Sequence, residues 1–141
     1  MKHSASKIDI ALKQLRTAVQ LYNKGNYISS LTLAGASEEI FGQIAKSKSG
    51  TNALEDDKVW TDQIADYFKK QRPALRKVAS IRNKVKNEVK HNDTGENEEI
   101  NSDFRFEAET FILGAIRNYE LAVGTIPNDR IIKSFWNWIS Q

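Results

Sequence analysis

Only two prolines interrupt this chain of 141 residues, Pro73 and Pro127, and each stands where a helix could begin. Around them, apolar residues recur at steps of three and four, the period of a helix with one buried side. Ile8, Leu12, Leu15, Val19 and Tyr22 form one such stripe, on a helix ending near Gly25. Asn26 can cap a second helix, whose stripe is Ile28, Leu31, Ala34, Gly35, Phe41, Ile44 and Ala45 and which stops in the polar run Ser47 to Asn52. Trp60, Ile64, Tyr67 and Phe68 mark a third, after the acidic start Glu55, Asp56 and Asp57. Pro73 either kinks that helix or opens the next, in which Leu75, Val78, Ile81, Val85 and Val89 run to about His91. Asn92 to Ser102 has no apolar period and reads as an acidic loop. Asp103 then caps a long helix carrying Phe104, Phe111, Ile112, Ala115, Ile116, Tyr119 and Val123, which Gly124 ends. Asn128 caps a short final helix with Ile131, Ile132, Phe135, Trp136 and Ile139. No alternating strand pattern and no repeat occurs. The expected fold is all-α, an antiparallel up-and-down bundle of about five helices forming a single domain over 1–141.

The absence of cysteine excludes a disulfide framework and a zinc–thiolate site, and two histidines, His3 and His91, leave little for a histidine metal centre. No cofactor is expected. The start, Met1 to Leu15, lacks an apolar core of signal-peptide length, and no run approaches the roughly 18 apolar residues of a membrane span. The expectation is a soluble protein of a reducing compartment, the cytoplasm, with no membrane partner.

Charge is segregated along the chain. Lys69 to His91 holds nine Lys or Arg against one acid, Glu88, a local net charge of +8 where the whole chain carries +3. Asn92 to Glu109 reverses the balance, with seven acids and one base, Arg105. A positive field concentrated on one element attracts an anion, most plausibly a phosphate backbone, though a solvated helix face has the same composition. Arg76, Lys77, Arg82, Asn83, Lys86 and Lys90 are the residues expected to meet it. At ~100° per residue, Arg82, Lys86 and Lys90 fall within ~80° of one another, with Asn83 and Asn87 alongside. His91 lies about half a turn from Arg82 and converges with it only if the helix ends or bends there.

Two further features exceed what packing needs. Glu38 and Glu39 sit near the apolar stripe of the second helix, where a carboxylate is costly unless paired, and the basic helix could supply the partner. Either they form a core ion pair, or one of them orients a basic side chain at a site. Phe135, Trp136 and Trp138, in the C-terminal run, are expected to pack in the core or at a contact between copies rather than to stack on bases.

The second helix, Tyr27 to Gly42, resembles the "ALTLAGAAEEILG" helix of many bacterial HEPN-domain proteins. Lys86-Asn87-Glu88-Val89-Lys90-His91 resembles their "RNxxKH" signature, and Ala115 to Tyr119 followed by Phe135 and Trp138 is similar to their closing "AIxNY…FxxW" pattern. The resemblance spans roughly residues 8–45 and 78–138. It implies a helical bundle that dimerises across a two-fold axis, RNA or nucleotide phosphate as ligand and, in many members, metal-independent endoribonuclease activity. In that chemistry the RNA 2′-OH attacks the adjacent phosphate, a histidine moves protons and an arginine stabilises the pentacoordinate charge. Carried over, His91 moves the proton, Asn87 assists, and Glu38 or Glu39 is the helix-two carboxylate. The arginine expected five residues before His91 is Lys86, which lacks the planar fork. Lys86 substitutes for it, Arg82 reaches in from one turn earlier, or the site is inactive.

The resemblance implies either a homodimeric ribonuclease of toxin or phage-defence type, paired with a nucleotidyltransferase-type antitoxin, or a non-catalytic module that binds RNA, a nucleotide or a protein through the same groove. A third reading is a scaffold whose acidic 92–109 segment masks its own basic helix.

Overall fold

The computed structural model describes residues 2–91 and 99–141, and among these every regular element is an α-helix. The elements are α1 (Lys7–Asn23), α2 (Tyr27–Ser49), α3 (Ala53–Tyr67), α4 (Leu75–Arg82), α5 (Lys84–Lys90), α6 (Phe104–Val123) and α7 (Arg130–Ile139). The all-helical expectation holds, but seven helices replace about five among the described residues. The acidic loop expected from Asn92 lies largely outside them, and with it residues 92–98 of the 92–109 masking segment. No described helix is long and apolar enough to cross a membrane.

The centre is α2, which packs along α6 on one side and α1 on the other. Leu15, Val19, Leu31, Phe41, Phe111, Ile112 and Ile116 fill the space between these three helices, and Ile132 and Phe135 close one end from α7. Close approach of α1 to α2 is made by small polar residues. The buried hydroxyls of Ser30 and Ser37 donate to the carbonyls of Ala18 and Ala11, at 2.7 and 2.9 Å, so neither is an orphan in the core. Tyr22, Phe135 and Trp138 form an aromatic cluster, Tyr22 meeting Phe135 edge to face at 5.4 Å. Of the C-terminal aromatics, Phe135 takes the expected core place, Trp136 is partly buried and Trp138 is half exposed.

Helix ends follow local chemistry, with two departures. Asp103 caps α6 by accepting from the Phe106 N–H at 3.0 Å, and Gly124 ends it in the left-handed conformation at φ 94°, both as expected. Asn26 precedes α2 without a side-chain cap. Asp129, not Asn128, caps α7, accepting from the Ile131 and Ile132 N–H groups at 2.9 and 3.1 Å. A charged acceptor that also takes the Arg16 Nε–H at 2.6 Å outcompetes the neighbouring amide, which takes the Lys133 ammonium instead.

Two expectations fail in the middle of the chain. The basic helix is not continuous: Asn83, at φ −93° and ψ 0°, ends α4 and begins α5. Pro73 neither kinks α3 nor opens α4 directly. It lies in the extended connection between them, because the residue before a proline is driven out of the helical region.

The stripe of α3 is also turned outward. Trp60, Ile64, Tyr67 and Phe68 are 67, 55, 82 and 63% exposed, and only Ala53 and Ala65 of α3 are buried. The contacts that hold α3 are small and polar, so its large apolar residues face away from the core.

This division predicts opposite outcomes for two truncations. Leu15→Ala, in the fully buried layer, should lower unfolding free energy by about 2–5 kcal/mol in urea denaturation. Trp60→Ala should stay within about 0.5 kcal/mol of wild type. A large loss at Trp60 would mean that the stripe is buried after all.

Candidate functional site: an ion-pair network beneath the basic segment

Glu38 is carried inward by α2 and Arg82 by the last turn of α4. The guanidinium grips the carboxylate with both ends of its fork, Nη1–H to Oε1 at 2.5 Å and Nη2–H to Oε2 at 2.6 Å. Its Nε–H donates to Asp57 Oδ2, from α3, at 2.5 Å. The side chains of Arg82 and Glu38 are only 9 and 8% exposed, whereas that of Asp57 is 48% exposed. The guanidinium carbon also stands 4.7 Å from the centre of the Phe111 ring, so the cation is enclosed by two carboxylates and an aromatic face.

One turn further, Lys86 repeats the arrangement. Its stem is buried, and its ammonium donates to Glu39 Oε1 at 2.5 Å while lying 5.3 Å from the same ring. Glu39 itself is more than half exposed, so of the two acids only Glu38 is a core residue. Lys86 also leaves the polar face it was expected to share with Lys90. Its stem lies buried against α2, with only the ammonium reaching the carboxylate.

Two glycines make this seating possible. A Cβ at Gly114 of α6 would collide with the Glu38 carboxylate and stand 2.8 Å from Arg82 Nη2. A Cβ at Gly35 of α2 would strike the Lys86 stem, 3.0 Å from its Cγ. Asn118 completes the frame. Its amide donates to the Glu38 carbonyl at 3.1 Å and accepts from the Ala53 N–H at 2.7 Å, tying α2, α3 and α6 together at one buried side chain.

The electrostatics follow from enclosure. Burial pushes the Glu38 carboxyl above the usual carboxylate range, with the hydrogen bonds and charge of Arg82 pulling the other way. Burial opposes the charge on Arg82, but the hydrogen bonds and attraction of Glu38 and Asp57 outweigh it and raise its pKa. Arg82 is a fixed cation. Three carboxylates face two cations in this network, so it holds no surplus positive charge for a ligand.

A cleft of about 440 Å³ opens beside it, lined by Glu38, Glu39, Gln43, Lys46, Asn52, Arg82, Asn83, Lys86 and Asn118. The site residues of the sequence analysis therefore divide. Arg82, Lys86, Asn83, Glu38 and Glu39 meet at the cleft. Asn87 and His91 are exposed and do not line it. The helix does end where His91 needs it to, since His91 is the extended C-cap of α5 with its N–H on the Asn87 carbonyl at 3.0 Å. Arg76, Lys77 and Lys90 are exposed on α4 and α5. Among the described residues, no group of three or more His, Asp or Glu is placed to hold a metal ion.

Asp57, Phe111, Gly114 and Asn118 are parts of the network that the sequence did not single out. Asn118 had a visible signal, as a lone amide seven residues after Phe111 on an otherwise apolar stripe. Asp57 had none, being one of three successive residues at an acidic helix start.

Comparison with family models, with curated proteins and with solved structures finds no match to this chain.

Gly114→Ala tests the network directly. In an exposed helix this change stabilises by about 0.5–1 kcal/mol. Here the methyl group must displace the Glu38–Arg82 pair, and a net loss of about 1–3 kcal/mol is expected in chemical denaturation. A gain in stability would show that the pair moves aside freely.

Proposed function

We propose that this protein is a HEPN-like, RNA-directed module that binds RNA phosphate along α4 and α5 and does not cut it. The reading takes residues 1–141 as one antiparallel up-and-down helical domain. The observation that carries it is a division of labour within the basic segment. Arg82 and Lys86 are turned inward and neutralised by Glu38, Asp57 and Glu39. Arg76, Lys77 and Lys84 remain exposed, with no carboxylate partner among the described residues. Phosphate neutralisation needs the second kind of cation, and a fixed arginine at a transition state needs the first kind set free.

A second reading, catalysis, rests on His91. It stands exposed at the mouth of the segment, where a substrate could reach it, and a two-fold pairing of copies would set two such histidines near two basic segments. This is the ribonuclease form, cytoplasmic and homodimeric, with a nucleotidyltransferase-type antitoxin as partner. It requires Lys86 or Arg82 to leave its carboxylate and stabilise the phosphate.

Fluorescence anisotropy with a short labelled RNA, over a series of salt concentrations, tests the binding reading. Wild-type affinity should fall steeply with salt. The triple change Arg76→Gln, Lys77→Gln and Lys84→Gln should weaken binding across sequences and lower the salt slope by about one for each lost phosphate contact. On a denaturing gel the RNA should remain intact with both wild type and His91→Ala. Cleavage that disappears in the His91 variant would establish the second reading, and absence of any RNA binding would remove the first.

A further inference from the structure

The outward-facing stripe of α3 has no role in the network or the bundle. Trp60, Ile64, Tyr67 and Phe68 recur at intervals of four, three and one, the spacing of a buried face, yet each is more than half exposed. Three of the four are aromatic. Tyr67 and Phe68 brace each other edge to face at 5.1 Å, which fixes both rings at the end of the helix without burying them.

The chain that follows the stripe is positive, although α3 itself carries five acids. Between Gln63 and Asn87 the chain has one acid, Asp66. That acid is taken by Arg72, whose Nε and Nη2 donate to it at 2.9 and 2.6 Å. Lys69 and Lys70, directly after the aromatic pair, are exposed and have no acidic partner among the described residues. Lys69 is also the only non-glycine among the described residues with a positive φ, 54°. It is the left-handed residue that closes α3, with the Lys70 N–H reaching back to the Ala65 carbonyl at 2.8 Å, and the turn sets Lys69 and Lys70 directly beyond the aromatic pair.

Charge also decides against a second copy as the occupant. A two-fold pairing of α3 would bring Lys69 and Lys70 of both copies to one interface with no unpaired acid of α3 to offset them. The acids of α3 are already used within the chain: Glu55 by Lys46, Asp56 by Arg117, Asp57 by Arg82, Asp62 by Lys58 and Asp66 by Arg72. The partner must bring both negative charge and flat apolar surface.

We propose that this face binds single-stranded nucleic acid, with bases stacked on Trp60, Tyr67 and Phe68 and the backbone held by Lys69 and Lys70. Stacking supplies sequence-tolerant contact, and the lysines supply phosphate neutralisation. Trp60 and Tyr67 are seven residues apart, about 10 Å along the helix. That is the length of about three nucleotides at the ~3.4 Å rise of a stacked strand. The inference deepens the RNA-directed reading and rests on it for the choice of RNA. It extends the docking surface from α4 and α5 to the outer side of α3.

The test is the dissociation constant of a labelled 12-nucleotide oligouridylate, set against a duplex of the same length, for the full chain and for Trp60→Ala/Tyr67→Ala. Both side chains are exposed, so circular dichroism should report an unchanged fold. Single-strand affinity should fall about tenfold or more while duplex affinity moves little, and Trp60→Phe should recover most of the loss. Lys69→Gly keeps the left-handed end of α3 and removes the charge: it should hold or raise the thermal midpoint and still weaken the single-strand complex. Single-strand affinity within twofold of wild type in the double variant would overturn the α3 surface while leaving an RNA-binding protein. No binding by the wild-type chain would remove both. Light scattering that shows a dimer falling to monomer in the Trp60→Ala/Tyr67→Ala variant would assign the stripe to a second copy and overturn the proposal.

Discussion

The bidentate pairing of Arg82 with Glu38 is the constraint on which the placement of the basic segment depends. A guanidinium and a carboxylate that are both about nine-tenths enclosed lose most of their hydration, and the loss is offset only when geometry is close to ideal. The surroundings are arranged to that end. Asp57 takes the remaining Nε–H, Phe111 offers its face, and Gly114 removes the Cβ that would occupy the same space. Lys86 adds a weaker version one turn on, with its stem over Gly35 and its head at the more exposed Glu39. α4 and α5 are thus held by these polar contacts together with Val78, Val85 and Val89, while α1, α2 and α6 are joined by a continuous apolar core.

Much of the fold was legible because period and punctuation agree along most of the chain. In α6, the cap at Asp103, the apolar spacing from Phe111 to Ile116 and the stop at Gly124 point the same way, and the helix has those bounds. The pairing of Glu38 and Glu39 with the basic segment was also legible. Two adjacent carboxylates near an apolar stripe need cations, and the densest supply is forty residues on. The rest was not. α3 has an apolar period as clear as any, but periodicity reports only that a face is apolar, not which way it turns. That depends on Ala53 and Ala65, whose small size lets α3 approach the body with its other side. The inward turn of Lys86 was hidden for a similar reason: the space it fills exists only because residue 35, on another helix, has no side chain.

Cations of one segment therefore do two different jobs. Arg82 and Lys86 have carboxylates within hydrogen-bonding distance and hold the segment in place. Arg76, Lys77 and Lys84 point to solvent and set the field that an anion meets on approach. Counting charge along the sequence merges these groups, since +8 over Lys69 to His91 includes cations already neutralised at fixed positions. The face of α3 extends the second group, as Lys69 and Lys70 follow its aromatic residues directly.

Val78 and Lys86 are the only buried residues of α4 and α5. A unit with so few fully buried residues, Val85 and Val89 being only partly covered, is expected to open at a fraction of the free energy needed to melt the whole molecule. Backbone amides of these two short helices are then replaced by deuterium through a partial, reversible release of the segment, while those of α2 and α6 wait for global unfolding. The most positively charged element of the protein is thereby also one of its thinly anchored ones, and an anion that holds it in place would slow that exchange before it altered anything in the core.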